Sequence, residues 1–84
     1  MKTLGEIIKS YRLTKGIKQD EISLLLNLNQ STYSRIENDK IEPSIKVLYK
    51  ISKILNFNID HILEILYKKE NPKIESSNLK RKLN

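Results

Sequence analysis

Eighty-four residues carrying sixteen Lys and Arg against ten Asp and Glu, a formal charge of +6, one His and no Cys leave room for one small domain and a short tail. No disulfide, thiolate metal site or Cys nucleophile can exist, the single His61 cannot build a His-based zinc cluster, and two glycines, Gly5 and Gly16, are too few for a phosphate-cradling loop. The 13 Ile and 12 Leu must supply the core, and nowhere do they run together for the roughly 20 apolar residues that a membrane span needs. The charged start Met1-Lys2-Thr3-Leu4-Gly5-Glu6 gives no expectation of a signal peptide or anchor, and a cysteine-free chain suits a reducing, cytoplasmic setting.

Alternation at period two never persists, whereas apolar spacing and end signals predict five helical segments and an all-α chain. The first opens on a capping box, Thr3 with Glu6 three residues on. It aligns Leu4, Ile7, Ile8 and Tyr11 on one face and stops at Lys15-Gly16, where glycine supplies a left-handed residue. The second runs from Gln19 to about Leu26, with Ile22, Leu25 and Leu26 as its buried stripe and Leu24 off it. Lys18, at the N-cap position, lacks the side-chain oxygen that caps a helix, which leaves that helix start less well satisfied. Asn27-Leu28-Asn29 makes a short turn, Asn27 tolerating the left-handed conformation and Asn29 serving as the next N-cap. The third segment, Gln30 to about Asn38, is polar except for Tyr33 and Ile36, so most of its surface faces solvent or a partner. Pro43 breaks the chain, Ser44 caps the fourth segment, and Val47, Leu48, Ile51, Ile54 and Leu55 recur at helical spacing up to Asn56. Asn58 caps the fifth, where Ile59, Ile62, Leu63 and Leu66 follow the same spacing. After Tyr67 the pattern ends. Residues 1–67 therefore read as the domain and residues 68–84 as a basic, disordered tail without internal repeats.

Charge is uneven along this plan. Lys68 to Asn84 holds six cations against Glu70 and Glu75, while the first 67 residues hold ten against eight. Bulk charge is thus a weak argument for a nucleic-acid partner of the folded part, and particular positions must carry it. Two helices joined by a three- to four-residue turn, the second polar and outward-facing, match a helix-turn-helix. The run Gln19-Asp20-Glu21-Ile22-Ser23-Leu24-Leu25-Leu26-Asn27-Leu28-Asn29-Gln30-Ser31-Thr32-Tyr33-Ser34-Arg35-Ile36-Glu37-Asn38 resembles the Cro/CI-type (lambda repressor-like) helix-turn-helix family. The resemblance continues through Pro43-Ser44 and the Leu55-Asn56-Phe57-Asn58 corner, covers about residues 4–66, and implies a compact five-helix domain with a short basic C-terminal tail.

Several positions acquire roles through that resemblance. Ser23 falls where the two helices come closest and only a small side chain fits, and Ile22, Leu26, Leu28, Tyr33 and Ile36 fall where the family buries apolar groups. Tyr33 is larger than the usual aliphatic residue, so its hydroxyl must reach the surface or a partner. Arg12 and Glu37 are implied as a structural pair that does not contact DNA. Asn27, Asp39 and Asn56 replace the glycines usual after helices two, three and four, each able to turn left-handed at some cost.

An α-helix fits the major groove of B-DNA, and its N-terminal residues approach base edges. The resemblance therefore makes Gln30, Ser31, Ser34 and Arg35 the base-contacting candidates. The Gln30 amide matches adenine N7 and N6, with the Gln19 amide bracing it, while Arg35 is divided between guanine and phosphate. Gln19, Thr32, Asn38, Lys40 and Lys46 are the phosphate-contacting candidates. Without context such a polar helix face is merely solvated; the five-helix setting favours readout. Lys46, Lys50 and Lys53 also read as an ordinary solvated face, His61 as a surface residue, and Leu24, Tyr49 and Ile65 as scattered surface groups or parts of a dimer interface.

The implied function is sequence-specific binding of double-stranded DNA by a small bacterial or phage-type transcriptional regulator. The expected mode is that of a repressor, a homodimer on a pseudo-palindromic operator, joined through Asn56, Phe57, Ile59, Ile62 and Leu66. No catalysis, cofactor, metal or membrane partner is expected. Two other readings stay open: an antitoxin that autoregulates its promoter and binds a toxin through the tail or helix five, and a protein-binding module on the same fold. The segment Leu79-Lys80-Arg81-Lys82-Leu83 attracts phosphates, folds against a protein partner, or only keeps the chain soluble.

Overall fold

Five helices follow one another in chain order: α1 (Leu4–Lys15), α2 (Gln19–Leu25), α3 (Gln30–Glu37), α4 (Ile45–Leu55) and α5 (Ile59–Glu70). The computed structural model describes residues 2–70, and among these there is no strand. The helix ends follow the local chemistry. Thr3 and Glu6 form the reciprocal capping box of α1, and Gly16, at φ 70°, closes it in the left-handed conformation. At the start of α2 the Lys18 side chain offers no acceptor, and only the returning half of a box is present, Glu21 accepting from the Lys18 N–H at 2.9 Å. Ser44 accepts from the Val47 N–H at 3.1 Å at the head of α4, and Asn58 accepts from the Asp60 N–H at 2.8 Å at the head of α5. Asn27, Asp39 and Asn56 all turn left-handed, with φ between 58° and 59°. Helix α5 continues three residues past Tyr67, since Lys-Lys-Glu keeps good helical propensity after the apolar stripe has ended. The tail expected from residue 71 onward lies outside the described residues.

The core gathers Ile8 from α1, Ile22 and Leu26 from α2 and its end, Tyr33 and Ile36 from α3, and Ile51 and Leu55 from α4. Leu4, Tyr11, Ile17, Leu28, Val47, Leu48, Ile54 and Phe57 pack around them. Burying this set is the main driving force of folding, since each large aliphatic side chain removed from water contributes about 1.5–3 kcal/mol.

One stripe differs from expectation. Leu25 is 64% exposed, and the packed arc of α2 consists of Ile22, Ser23 and Leu26. Ser23 is buried as well as Ile22, so the packed arc is centred between them, and Leu25 lies about a third of a turn from its middle. Leu24, 80% exposed, is off the stripe as the spacing predicts.

The fold also has a pinch point that spacing does not reveal. Gly5 lies against the C-terminal end of α3, where an added Cβ would stand 2.7 Å from the Ile36 carbonyl oxygen and closer still to that of Glu37. Here Asp39 reaches back to α1, one carboxylate oxygen accepting from the Gly5 N–H at 2.9 Å and the other from the Thr3 hydroxyl. No helix among the described residues is long and apolar enough to cross a membrane.

Candidate nucleic-acid interface

Helix α3 is pinned along one side and open along the other. Tyr33, Ile36 and Glu37 are buried, whereas Gln30, Ser31 and Arg35 are exposed and Thr32 and Ser34 are half-buried. Four of these open residues, Gln30, Ser31, Ser34 and Arg35, are the base-contacting candidates, and one helix face brings them together. Asn29 has the extended backbone of an N-cap, yet its side chain makes no capping bond, so the first N–H groups of α3 have no side-chain acceptor.

The expected phosphate-contacting residues lie on and just beyond α3 and at the heads of α2 and α4. Asn38 and Lys40 are exposed just beyond α3, Lys46 is exposed in the first turn of α4, and Gln19 is the half-buried first residue of α2. The loop after α3 has little backbone to offer an anion. The N–H groups of Asn38, Asp39, Lys40 and Ile41 donate to the carbonyls of Ser34, Ile36, Arg35 and Arg35, at 3.0, 3.2, 2.8 and 3.4 Å. Any phosphate contact here falls to side chains, and the Asn38 amide already donates to Ser34 Oγ at 3.3 Å.

Behind the open face sits a closed polar cluster. The Glu37 carboxylate is buried and receives four hydrogen bonds, two on each oxygen. Arg12 Nε and the Tyr33 hydroxyl donate to Oε2, each at 2.5 Å. Arg12 Nη2 and Gln19 Nε2 donate to Oε1, at 3.1 and 3.0 Å. Arg12 Nη1 adds a bond of 2.8 Å to the Ile17 carbonyl, tying the α1–α2 turn to the same guanidinium. Burial alone would push the Glu37 carboxyl up, but the bonds from Arg12, Tyr33 and Gln19 and the Arg12 charge outweigh it and hold it below the ordinary carboxylate value. Glu37 in turn raises the Arg12 guanidinium, first through their hydrogen bond. Burial and then the bond to Glu37 push the Tyr33 phenol well above its usual range. The large Tyr33 thus finds an internal acceptor, and its hydroxyl does not reach the surface. The Gln19 amide is likewise engaged with Glu37, where bracing of Gln30 was expected.

After α4 the chain turns a corner at Asn56, which is exposed. Phe57 is half-buried and stacks on Tyr11 with ring centroids 5.1 Å apart, and Ile59 and Leu66 are half-buried on α5. Ile62 corrects an expectation: at 2% exposure it belongs to the inner side of α5, because its position packs inward and leaves nothing for an outer surface. Leu24, Tyr49 and Ile65 are exposed, as are Leu13, Ile41 and Ile45, and His61 lies at the surface. Among the described residues no three His, Cys, Asp or Glu side chains gather as metal ligands.

Sequence reasoning missed the close approach of Gly5 to α3 and the bonds by which Asp39 grips the head of α1. Glycine inside a helix costs about 0.8–1 kcal/mol relative to alanine, so its place in the second position of α1 was itself the sign of a close contact.

Comparison with known proteins gives a consistent answer. Residues 8–62 match the family model described as Helix-turn-helix. The chain is 35% identical over 60 residues to an SPbeta prophage-derived uncharacterized HTH-type transcriptional regulator of Bacillus subtilis, covering 71% of this chain and 56% of the relative. It is 36% identical over 59 residues to the ImmF control region 10 kDa protein of Bacillus phage phi105, covering 70% and 66%. An uncharacterized HTH-type transcriptional regulator of Methanocaldococcus jannaschii shares 31% over 55 residues, 66% of this chain and 83% of the relative. The match thus spans less than two thirds of the first two relatives. No solved structure matches.

Proposed function

The chain belongs to the Cro/CI-type helix-turn-helix family, and from that membership we propose that it binds double-stranded DNA in a sequence-specific way as a small transcriptional regulator. The observation that carries the reading is the open face of α3, where Gln30, Ser31 and Arg35 stand exposed on a helix whose other side is locked into the core. The naming of two relatives as HTH-type transcriptional regulators, and of a third as a phage control-region protein, supports it.

In this reading α3 enters the major groove. Gln30 forms a bidentate contact with adenine, Ser31 and Ser34 adapt to neighbouring base edges, and Arg35 pairs with guanine or phosphate. Gln19, Thr32, Asn38, Lys40 and Lys46 hold the backbone on either side. One such helix reads only a few base pairs, so the chain works as a homodimer and represses from a pseudo-palindrome with half-site centres about 34 Å apart. The dimer surface is the Asn56–Phe57 corner with Ile59 and Leu66 of α5.

The test is enrichment of duplexes from a random pool at two salt concentrations, beside the Gln30→Ala variant. A two-fold motif that weakens steeply with salt is expected, and the variant should lose about 1–3 kcal/mol and relax one base preference. Recovery of duplexes without any enriched motif overturns the reading.

A further inference from the structure

The closed cluster behind α3 bears on readout, and the argument rests on the DNA-binding reading above. An ionised carboxylate only accepts hydrogen bonds, with about four lone-pair sites, and here all four are filled by Arg12 twice, Tyr33 and Gln19. A side-chain amide, by contrast, has a donor edge and an acceptor edge that a half-turn about its last bond exchanges. Facing Glu37 Oε1, the Gln19 amide has one permitted orientation, because the reverse would set oxygen against oxygen in a partly buried site. One N–H is therefore committed inward. The carbonyl oxygen and the second N–H of Gln19 are turned away from Glu37, in a fixed arrangement, at the N-terminus of α2.

We propose that Glu37 and Tyr33 are positioning residues for DNA readout. Glu37 fixes which edge of the Gln19 amide is presented, so that its second N–H serves the phosphate while its carbonyl oxygen accepts from a donor on a neighbouring base edge, and the Tyr33 hydroxyl together with Arg12 Nε holds the carboxylate oxygen Oε2 so that Oε1 stays aligned with Gln19. Neither residue touches DNA. Both are buried, and both act through Gln19. Tyr33 contributes this through its hydroxyl alone, since the ring would fill the core equally well as phenylalanine.

The experiment uses the full chain in two measurements. In the DNA-free protein, one of the two side-chain amide hydrogens of Gln19 is expected to exchange slowly with solvent, and Tyr33→Phe is expected to speed that exchange. In binding, the ratio of affinities for an enriched duplex and its scrambled counterpart is measured for wild type, Tyr33→Phe, Gln19→Ala and the double variant. Tyr33→Phe is expected to lower this ratio by about five- to tenfold, the lower end of what one side-chain contact to a base discriminates, and to lower it no further when Gln19 is already alanine. A purely structural role predicts otherwise: equal loss on both duplexes, additive with Gln19→Ala, and that result overturns the proposal. Rapid exchange of both Gln19 hydrogens in the wild type overturns the positioning by itself. A wild type that discriminates no duplex, with the slow hydrogen still present, overturns the DNA reading and the readout role with it.

Discussion

Replacing Glu37 with glutamine alters one atom and strips the cluster of its charge. The amide oxygen accepts at most two of the four donors now converging on the carboxylate, and the new amino group accepts none. Arg12, buried beside it, loses its counter-ion. Removing one partner of a buried ion pair costs about 3–5 kcal/mol. A domain of this size holds roughly 3–10 kcal/mol in all, so Glu37→Gln takes a large part of its stability. At about 4–8 °C per kcal/mol, thermal unfolding followed by circular dichroism should show a midpoint lowered by roughly 12–40 °C at pH 7. The effect also carries a pH signature. The folded-state pKa of Glu37 lies below its unfolded value, so its contribution is fully present above about pH 4.5 and is lost as the pH falls through the depressed folded value. Wild type and variant should therefore converge in acid. A midpoint shift below about 4 °C, or the same gap at pH 7 and pH 3, would refute the account of the cluster.

Gly5→Ala sets a methyl group against the Ile36 and Glu37 carbonyls, and since backbone must move to admit it, denaturant unfolding should show a loss of about 1–3 kcal/mol. Glycine at the left-handed positions should act with opposite signs. Asn56→Gly relieves φ 58° with no side-chain bond to lose among the described residues and should gain up to about 0.5–1 kcal/mol, whereas Asp39→Gly relieves φ 59° but loses the bonds to Thr3 and Gly5 and should destabilise. Leu25→Lys should leave stability within about 0.5 kcal/mol, while its neighbour Leu26→Ala should cost about 2–5 kcal/mol; equal costs would restore Leu25 to the core.

The five helices were legible because their signals are local. The Thr3–Glu6 capping box, the Ser44 and Asn58 caps, Gly16 and Pro43 act within one turn of the chain, and apolar residues three and four apart share a face wherever the helix lies. What escaped depends on contacts across the fold. Leu25 fits a helical stripe as well as Leu26 does, and only the packing of α2 against the rest of the fold decides which of them is covered. The acceptor of Tyr33 and of Gln19 is the same carboxylate, four residues from one and eighteen from the other, and nothing within a helical turn of Gln19 announces it. Asp39 could be read for its left-handed backbone, a property of the residue itself, but its grip on the head of α1 spans thirty-four residues. The open face of α3 was legible as polarity, and its residues were assigned to bases or phosphates through family resemblance.

The two ends of α3 are held very differently. Its last turn is clamped by Arg12 on Glu37, pressed by Gly5 and continued by Asp39 into α1, while its first turn starts from Asn29 with no side-chain cap. The side-chain bonds that tie α3 to α1 and α2 thus all lie at its C-terminal root, away from Gln30 and Ser31 at its head. A substitution at Gln30 or Ser31 therefore leaves these bonds and the direction they give the helix untouched, so the exposed head of α3 is open to change residue by residue while its mounting stays the same.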